Sequence, residues 1–544
     1  MHDGDRGCEP VLPSETCAEG QMAVPGENMC RPVAPCGAAP WGDVPEEPSN
    51  EYVDASYTGG GSDGTKAHPW TSIQAAIDAA SPNAIVAIAE GSYPEDPVVQ
   101  GKAVRLWGRC PSLVDVAGAG TEPATIIVGQ GGGGSEIRDL AVQESGITVV
   151  AAEDVIVDRV WIHDSADAFY VDDAFGAVSA SLRRSLVERS SQRGVVVFGG
   201  RVAVEQSVVR DTQMSTLGEG VLVQAFIGRG DLRVVGSVVE RSHRVGVFVF
   251  ASDALVEGSV IRDTHAVASG QLGRGISVEN DPFGETGALT VRGSLVERSA
   301  DMGIFVGGSS GVIEATRIRD QQPGPGALPT AGAGIDAVRH PESLDRADLI
   351  VRDSLVERGC GLGIDVGASD ALIERTTVRA IEPCADQLHG RGINVQDDPL
   401  NPQVPAKATI DACAIEDCHE FGVLALSAVV SVSATRIART HALPNGSFGD
   451  GASSFTYIAG QEGSLTIAAS WVSDSARAGI SGFGSVVDLG STRLECNLIQ
   501  LDAEVTADTN YQFHDLGGNV CSCGDVTSAC KVVSQNLAPP TPLQ

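Results

Sequence analysis

Three segments of this chain carry side chains that can do chemistry, each placed after a glycine and an aliphatic residue: Gly334-Ile335-Asp336, Gly363-Ile364-Asp365 and Gly392-Ile393-Asn394. If the segments are neighbouring strands, the two carboxyls and the amide stand in one vertical column. Stacked carboxylates repel, so one holds its proton to a higher pH unless a cation bridges them. The first outcome is a proton-sharing acid/base pair, with Asp336, Asp365 and Arg391 as the catalytic set. The second is an oxygen-lined calcium site formed by Asp336, Asp365 and Asn394, completed by Gln396 or Asp397. Arg274, Arg391 and His340 fall at the edges of the same column, where an arginine can act as base or clamp the carboxylate of an acidic glycan. The plain alternative is two solvated aspartates on a surface strand.

The elements that must position these residues are set by a repeat. A six-residue block recurs as Ser185–Ser190 (SLVERS), Ser207–Thr212 (SVVRDT), Ser237–Ser242 (SVVERS), Ser259–Thr264 (SVIRDT) and Ser294–Ser299 (SLVERS). It continues at Thr316, Ser354, Thr376, Cys413, Thr435, Ser470 and Thr492, with fainter copies near Leu140 and Val160. Successive blocks are 22, 30, 22, 35, 22, 38, 22, 37, 22, 35 and 22 residues apart, so coils of 22 residues alternate with coils of 30–38. Such a period marks a repeat architecture. The third block position is aliphatic throughout, from Val187 and Val209 to Val472 and Leu494. A glycine lies nine residues after the start of the block in short coils and later in long ones, and leads a segment with a period of two, which is a strand with one inward face. Coils of this length predict an all-β fold, a right-handed parallel β-helix. The fourth and fifth block positions alternate in sign from coil to coil, as in Glu188, Arg210, Glu240 and Arg262, so like charges never stack.

Long coils place extra residues on both sides of the Gly-led strand, so two rows of loops wall a groove floored by that strand's outward face. Its lining reads Phe248, Phe250 and Phe305, then Arg274, Ser277, Glu279, His340 and Asn394 around the two aspartates. The phenylalanines either stack on sugars or lie covered by loops or a partner; they lack the polar handle of Trp and Tyr.

The 71 acidic against 37 basic side chains give a net charge of −34, which excludes nucleic acid and anionic membrane as partners. No apolar run is long enough for a transmembrane helix. Among 13 cysteines, Cys8, Cys17, Cys30 and Cys36 crowd the start and Cys496, Cys521, Cys523 and Cys530 the end. They predict disulfide staples and an oxidising, extracellular or cell-surface location, inferred from cysteine because Met1-His2-Asp3-Gly4 offers no signal peptide. Zinc is the lesser reading, since the last four match no standard module. Cys360 and Cys384 fall in neighbouring coils and can pair, whereas Cys413 and Cys418 share one strand and cannot. The expected organisation is a Cys/Pro/Gly-rich segment or tether over residues 1–50, a cap and first coils over 51–110, the β-helix over 111–514, and a disulfide-rich tail over 515–544.

Residues 71–80 (TSIQAAIDAA) predict a short capping helix with Thr71 or Ser72 as N-cap. With Tyr52-Val53-Asp54, Gly64-Thr65 and Trp70-Thr71-Ser72-Ile73-Gln74-Ala75-Ala76-Ile77, the chain resembles the pectin-lyase-like superfamily. That resemblance covers about residues 52–110, and the coil pattern extends it to about 500. It implies a secreted β-helix that is either a polysaccharide-active enzyme or a non-catalytic surface protein. The polygalacturonase series and the pectinesterase motif are missing, and Lys66, Lys102, Lys407 and Lys531 are the only lysines, too few for lyases that use a lysine base. The expectation is therefore a protein that binds a polysaccharide or a surface protein along the groove, with no required cofactor and calcium as an option. The alternative is a polysaccharide lyase or glycoside hydrolase in the same groove.

Overall fold

Residues 9–213, 217–267, 272–323, 332–384, 388–400, 404–506 and 509–543 are described in a computed structural model. The repeat becomes one coil per block, and each coil gives one strand to each of three parallel sheets. The chain forms two units, one of residues 10–264 and one of residues 265–544 joined by residues 1–9. Both have the architecture of a right-handed parallel β-helix.

In the unit of residues 10–264, block strands Leu186–Glu188, Val208–Arg210, Val238–Glu240 and Val260–Arg262 form the first sheet. Their register places Val187, Val209, Val239 and Ile261 in one column, each fully buried. The fainter copies join it through Val142 and Ile162. In the other unit the corresponding column runs Val296, Ile318, Val356, Val378, Ile415, Ile437, Val472 and Leu494. These strands are three residues long because the chain turns sharply on both sides of them. The residue before each block and the fifth residue within it sit in the left-handed region, as at Arg184 (φ 48) and Arg189 (φ 59), or Ala434 (φ 47) and Arg439 (φ 55).

The block's first residue holds one corner together. Ser185, Ser207 and Ser237 each donate a backbone N–H to the hydroxyl of the next coil's serine at 3.1 Å, and Ser207 and Ser237 return their own hydroxyls to the carbonyl two residues back. This ladder satisfies turn amides that the sheets leave unpaired. The charge ladder closes as the alternation requires, with Arg210 on Glu188 at 2.5 Å and Arg262 on Glu240 at 2.6 Å.

The Gly-led strands form the second sheet. Their glycine is required by space: a methyl on Gly422 would stand 2.6 Å from the Gly451 carbonyl and from Ile437 Cγ2. The N-terminal helix, Ile73–Ala79, buries Ile73, Ala76 and Ile77 and uses Ser72 as N-cap. Glu95 accepts from the Ile73 and Gln74 amides at 2.6 and 3.0 Å, adding a carboxylate at the helix start. Disulfides join Cys17–Cys30, Cys36–Cys110, Cys360–Cys384, Cys496–Cys523 and Cys521–Cys530. Cys413 and Cys418 are buried thiols, and Cys8 lies outside the described residues. The four C-terminal cysteines are thus spent on each other, which removes zinc. No helix among the described residues is long and apolar enough to cross a membrane.

Candidate functional site

In the unit of residues 265–544 the Gly-led sheet runs through Arg274–Glu279, Ile304–Gly307, Ile335–Val338, Leu362–Gly367, Arg391–Gln396, Phe421–Leu426, Asp450–Phe455, Ala478–Phe483 and Ile499–Glu504. Its register stacks Ser277, Phe305, Asp336, Asp365, Asn394, Leu424, Ser453, Ser481 and Asp502 in one outward column. The column read from the sequence is therefore present. Loops after the strand form a row: Asn280 donates to Ser343 at 2.6 Å and to Asp345 at 2.8 Å, and Arg346 donates to the Val404 carbonyl at 2.9 Å.

The floor differs from the expected open groove. Ser277, Asp336, Asp365, Arg391 and Asn394 are all at most 3% exposed. The C-terminal segment lies over them. It leaves the last coil at Val533, which bridges Asp502, and Glu504 accepts from the Gln535 and Leu537 amides at 2.8 and 3.1 Å. Arg477 donates to the Ala538 carbonyl at 3.1 Å, and Arg391 to that of Thr541 at 2.6 Å. Gln396 grips Leu543 from both sides, donating to its carbonyl and accepting from its amide, each at 2.8 Å. The Leu543 side chain packs, as Phe305 does, on the cluster of Met302, Ala333 and Leu362. Farther along, Phe448, Phe455 and Tyr457 cover Phe421, Leu424 and Leu426.

Beneath this cover Asp336 and Asp365 are within hydrogen-bonding reach of each other. Burial, reinforced by Asp365, pushes the Asp336 carboxyl well above the usual carboxylate range. Burial raises Asp365 too, but Asn394 opposes this by donating to its Oδ1 at 2.6 Å. Of the two, Asp336 is the carboxyl pushed further towards its protonated form. Asp336 Oδ1 has no hydrogen-bond partner. Asp502, at the column's far end, is pushed up to about 6 by burial and by Glu504.

Arg391 is not a free base or clamp. It is fully buried, forms a two-point pair with Glu420 at 2.7 and 3.0 Å, and donates to Asn394 Oδ1 at 2.9 Å. It thereby fixes which way the Asn394 amide faces, and so which group meets Asp365. Glu420 is held low against its burial by His389 and Arg391. Nothing in the repeat singled out Glu420, which sits in a pre-strand turn. Asp450 was missed as well; it is fully buried and binds Arg477 at 2.5 Å and the Ser481 hydroxyl at 2.6 Å.

The proposed calcium ligands do not fit a calcium ion. The Asn394 oxygen is taken by Arg391, the Gln396 amide by Leu543, and Asp397 Oδ1 by the Asp398 amide at 2.9 Å. Among the described residues no three His, Cys, Asp or Glu side chains converge as metal ligands would. His340 organises a turn, its Nδ1 accepting from the Glu342 and Ser343 amides. Arg274, Ser277, Glu279 and Phe305 do come together: the guanidinium lies 3.6 Å from the Phe305 ring centre and donates to Glu279 at 2.7 Å and Ser277 at 3.2 Å. Phe248 and Phe250 belong to the unit of residues 10–264, on strand Val245–Phe250, with ring centres 5.9 Å apart.

No family model matches the sequence, and no curated protein matches it. Among solved structures, the catalytic unit of a thermostable alpha-1,3-glucanase from Streptomyces thermodiastaticus strain HF3-3 is 14% identical, with a TM-score of 0.38 over 89% of this chain and 70% of that one. The pectate lyase Pel9A is 14% identical, with a TM-score of 0.32 over 55% of this chain and 78% of that one. The periplasmic alginate epimerase AlgG is 9% identical, with a TM-score of 0.32 over 73% and 76%.

Proposed function

We propose that this chain is an extracellular β-helix protein that binds a polysaccharide along the Gly-led face of its unit of residues 265–544, a face that its own C-terminal segment occupies at rest. The observation that carries this reading is the way the segment is held. Arg391 and Gln396 bind backbone carbonyl and amide groups of an extended chain, and sugar hydroxyls and ring oxygens offer the same alternation of donors and acceptors. Leu543 fills an apolar position, against the cluster of Met302, Ala333 and Leu362. Five disulfides fit an oxidising compartment, where such a ligand is met.

A second reading, hydrolysis or lyase chemistry on a polysaccharide, is favoured by one feature: burial and the neighbouring Asp365 hold the Asp336 carboxyl well above the usual carboxylate range, the direction a general acid needs.

Both readings are tested by comparing the full chain with a variant ending at Pro539, which lacks Thr541 and Leu543. The truncated protein should bind a member of a panel of neutral and uronic-acid polysaccharides at least tenfold more tightly, measured by titration calorimetry. Equal affinity, or no binding by either protein, sinks the groove reading. Release of unsaturated products or reducing ends by the truncated protein, abolished by Asp336→Asn with Asp365→Asn, selects catalysis over binding.

A further inference from the structure

The third sheet of the unit of residues 10–264 presents a different surface. Its strands Val155–Asp158, Ser179–Arg183, Arg201–Glu205 and Asp231–Val235 pair in parallel, and their outward residues form columns. The central column reads Ile156, Ser181, Ala203 and Arg233. The flanking columns carry Ser179, Arg201 and Asp231 on one side and Arg183 and Glu205 on the other. Small Ser181 and Ala203 between long neighbours leave a hollow of about 390 Å³, within the range of roughly 300–1,000 Å³ usual for small-ligand sites.

The charges around this hollow break the rule kept elsewhere. Among the described residues, every arginine other than Arg201 and Arg233 has a carboxylate within 4.0 Å. In a chain of net charge −34, the two exceptions both line this one hollow. They are diagonal neighbours on adjacent strands, where side-chain bases are about 7–8 Å apart, so both guanidinium forks can reach one anionic group from opposite sides. Arg183, paired with Glu205 at 3.2 Å, adds a partly neutralised third cation. Asp154 and Asp231 also line the hollow. They would repel a compact dianion, but accept hydrogen bonds from hydroxyl groups.

From this pattern we infer that the hollow is a binding site for a short saccharide carrying an acidic group, with the carboxylate or sulfate ester on Arg201 and Arg233 and free hydroxyls on Asp154, Asp231, Ser179 and Ser181. It lies on another sheet and in another unit than the groove, and does not depend on the groove's function.

The test is titration of the full chain with a uronic-acid disaccharide, a sulfated disaccharide and a neutral disaccharide at low and high salt. At least one acidic sugar should bind at least tenfold more tightly than the neutral one, and weaken as salt rises. The carboxylate and sulfate arms tell the two anions apart. Arg201→Gln with Arg233→Gln should lose at least tenfold for that sugar while melting as the parent does, because both side chains are exposed. The variant ending at Pro539 should bind it unchanged. No binding of either acidic sugar, equal binding of the neutral one, or full binding by the double variant overturns the assignment; loss on truncation relocates the ligand to the groove and overturns it too.

Discussion

At the scale of single residues, the site is governed by one buried carboxyl, Asp336. Asp336 has an ordinary value of 3.8 and a folded value well above it, because burial and Asp365 both oppose its charge. The folded chain therefore keeps a proton that the unfolded chain has released above that ordinary value. Stability attributable to Asp336 is full below it and is lost as pH rises towards the folded value. Asparagine cannot ionise and escapes this loss. Asp336→Asn should melt higher than the parent at pH 7 and close to it at pH 4, as read by thermal unfolding at both values. A variant that melts lower at pH 7 would mean that the carboxylate is ionised and stabilised by a partner such as a cation. The position of this pair was legible in the sequence: one glycine per coil sets the phase, and the phase places Asp336 over Asp365 and Asn394. Its burial was not. The groups that cover it, Thr541 and Leu543, lie 150 and 147 residues beyond their partners Arg391 and Gln396, in a segment with no repeat to give it a register.

At the scale of elements, each coil is held by contacts that tolerate different changes at its corners and in its glycine column. The glycine column is tight: an added methyl at Gly422 meets backbone and Ile437 at 2.6 Å, and a rigid coil on either side cannot yield. Gly422→Ala should cost about 1–3 kcal/mol, the usual range for overpacking. The corner before each block is the opposite case. Ala434 is exposed and holds φ 47, where glycine occurs naturally at Gly236, Gly258 and Gly293. A left-handed alanine costs about 1–2 kcal/mol that glycine avoids, partly offset by glycine's greater freedom when unfolded. Ala434→Gly should therefore raise stability by up to about 1 kcal/mol. Denaturant unfolding of the two variants checks both signs, and a stabilising Gly422→Ala would remove the close-approach explanation for the column. The sequence disclosed that Ser, Thr and Gly recur at these places. It did not disclose why, because the serine ladder and the glycine contacts join residues one coil apart, and their geometry exists only once the coils are stacked. Cys413 illustrates the point: it stands in the serine column and directs its thiol to the Asp411 carbonyl at 3.2 Å, as the hydroxyls do. A reading by residue type groups it with the other cysteines.

At the scale of the whole molecule, two electrostatic effects oppose each other. The arginines are almost all committed to carboxylates in the ladders, which salt would weaken. The excess of 71 acidic over 37 basic groups leaves many carboxylates without a cation, and their mutual repulsion is what salt would relieve. Magnitudes decide between them. Exposed ion pairs are worth about 0–1 kcal/mol each, and the best-buried ones, such as Arg210 with Glu188 at 3% and 2% exposure, are shielded from solvent ions. The repulsion is summed over the entire acidic surface and is long-ranged at low ionic strength, where the screening length is about 30 Å at 0.01 M and falls to about 8 Å at 0.15 M. The relief should win. The melting temperature is expected to rise from 10 to 150 mM sodium chloride and then level off, since beyond that point neighbouring surface charges are already screened. A melting temperature that falls steadily over the same range would show that the ladders are exposed to solvent ions and supply net stability. In that event sign alternation along the coils would be a source of strength as well as of register.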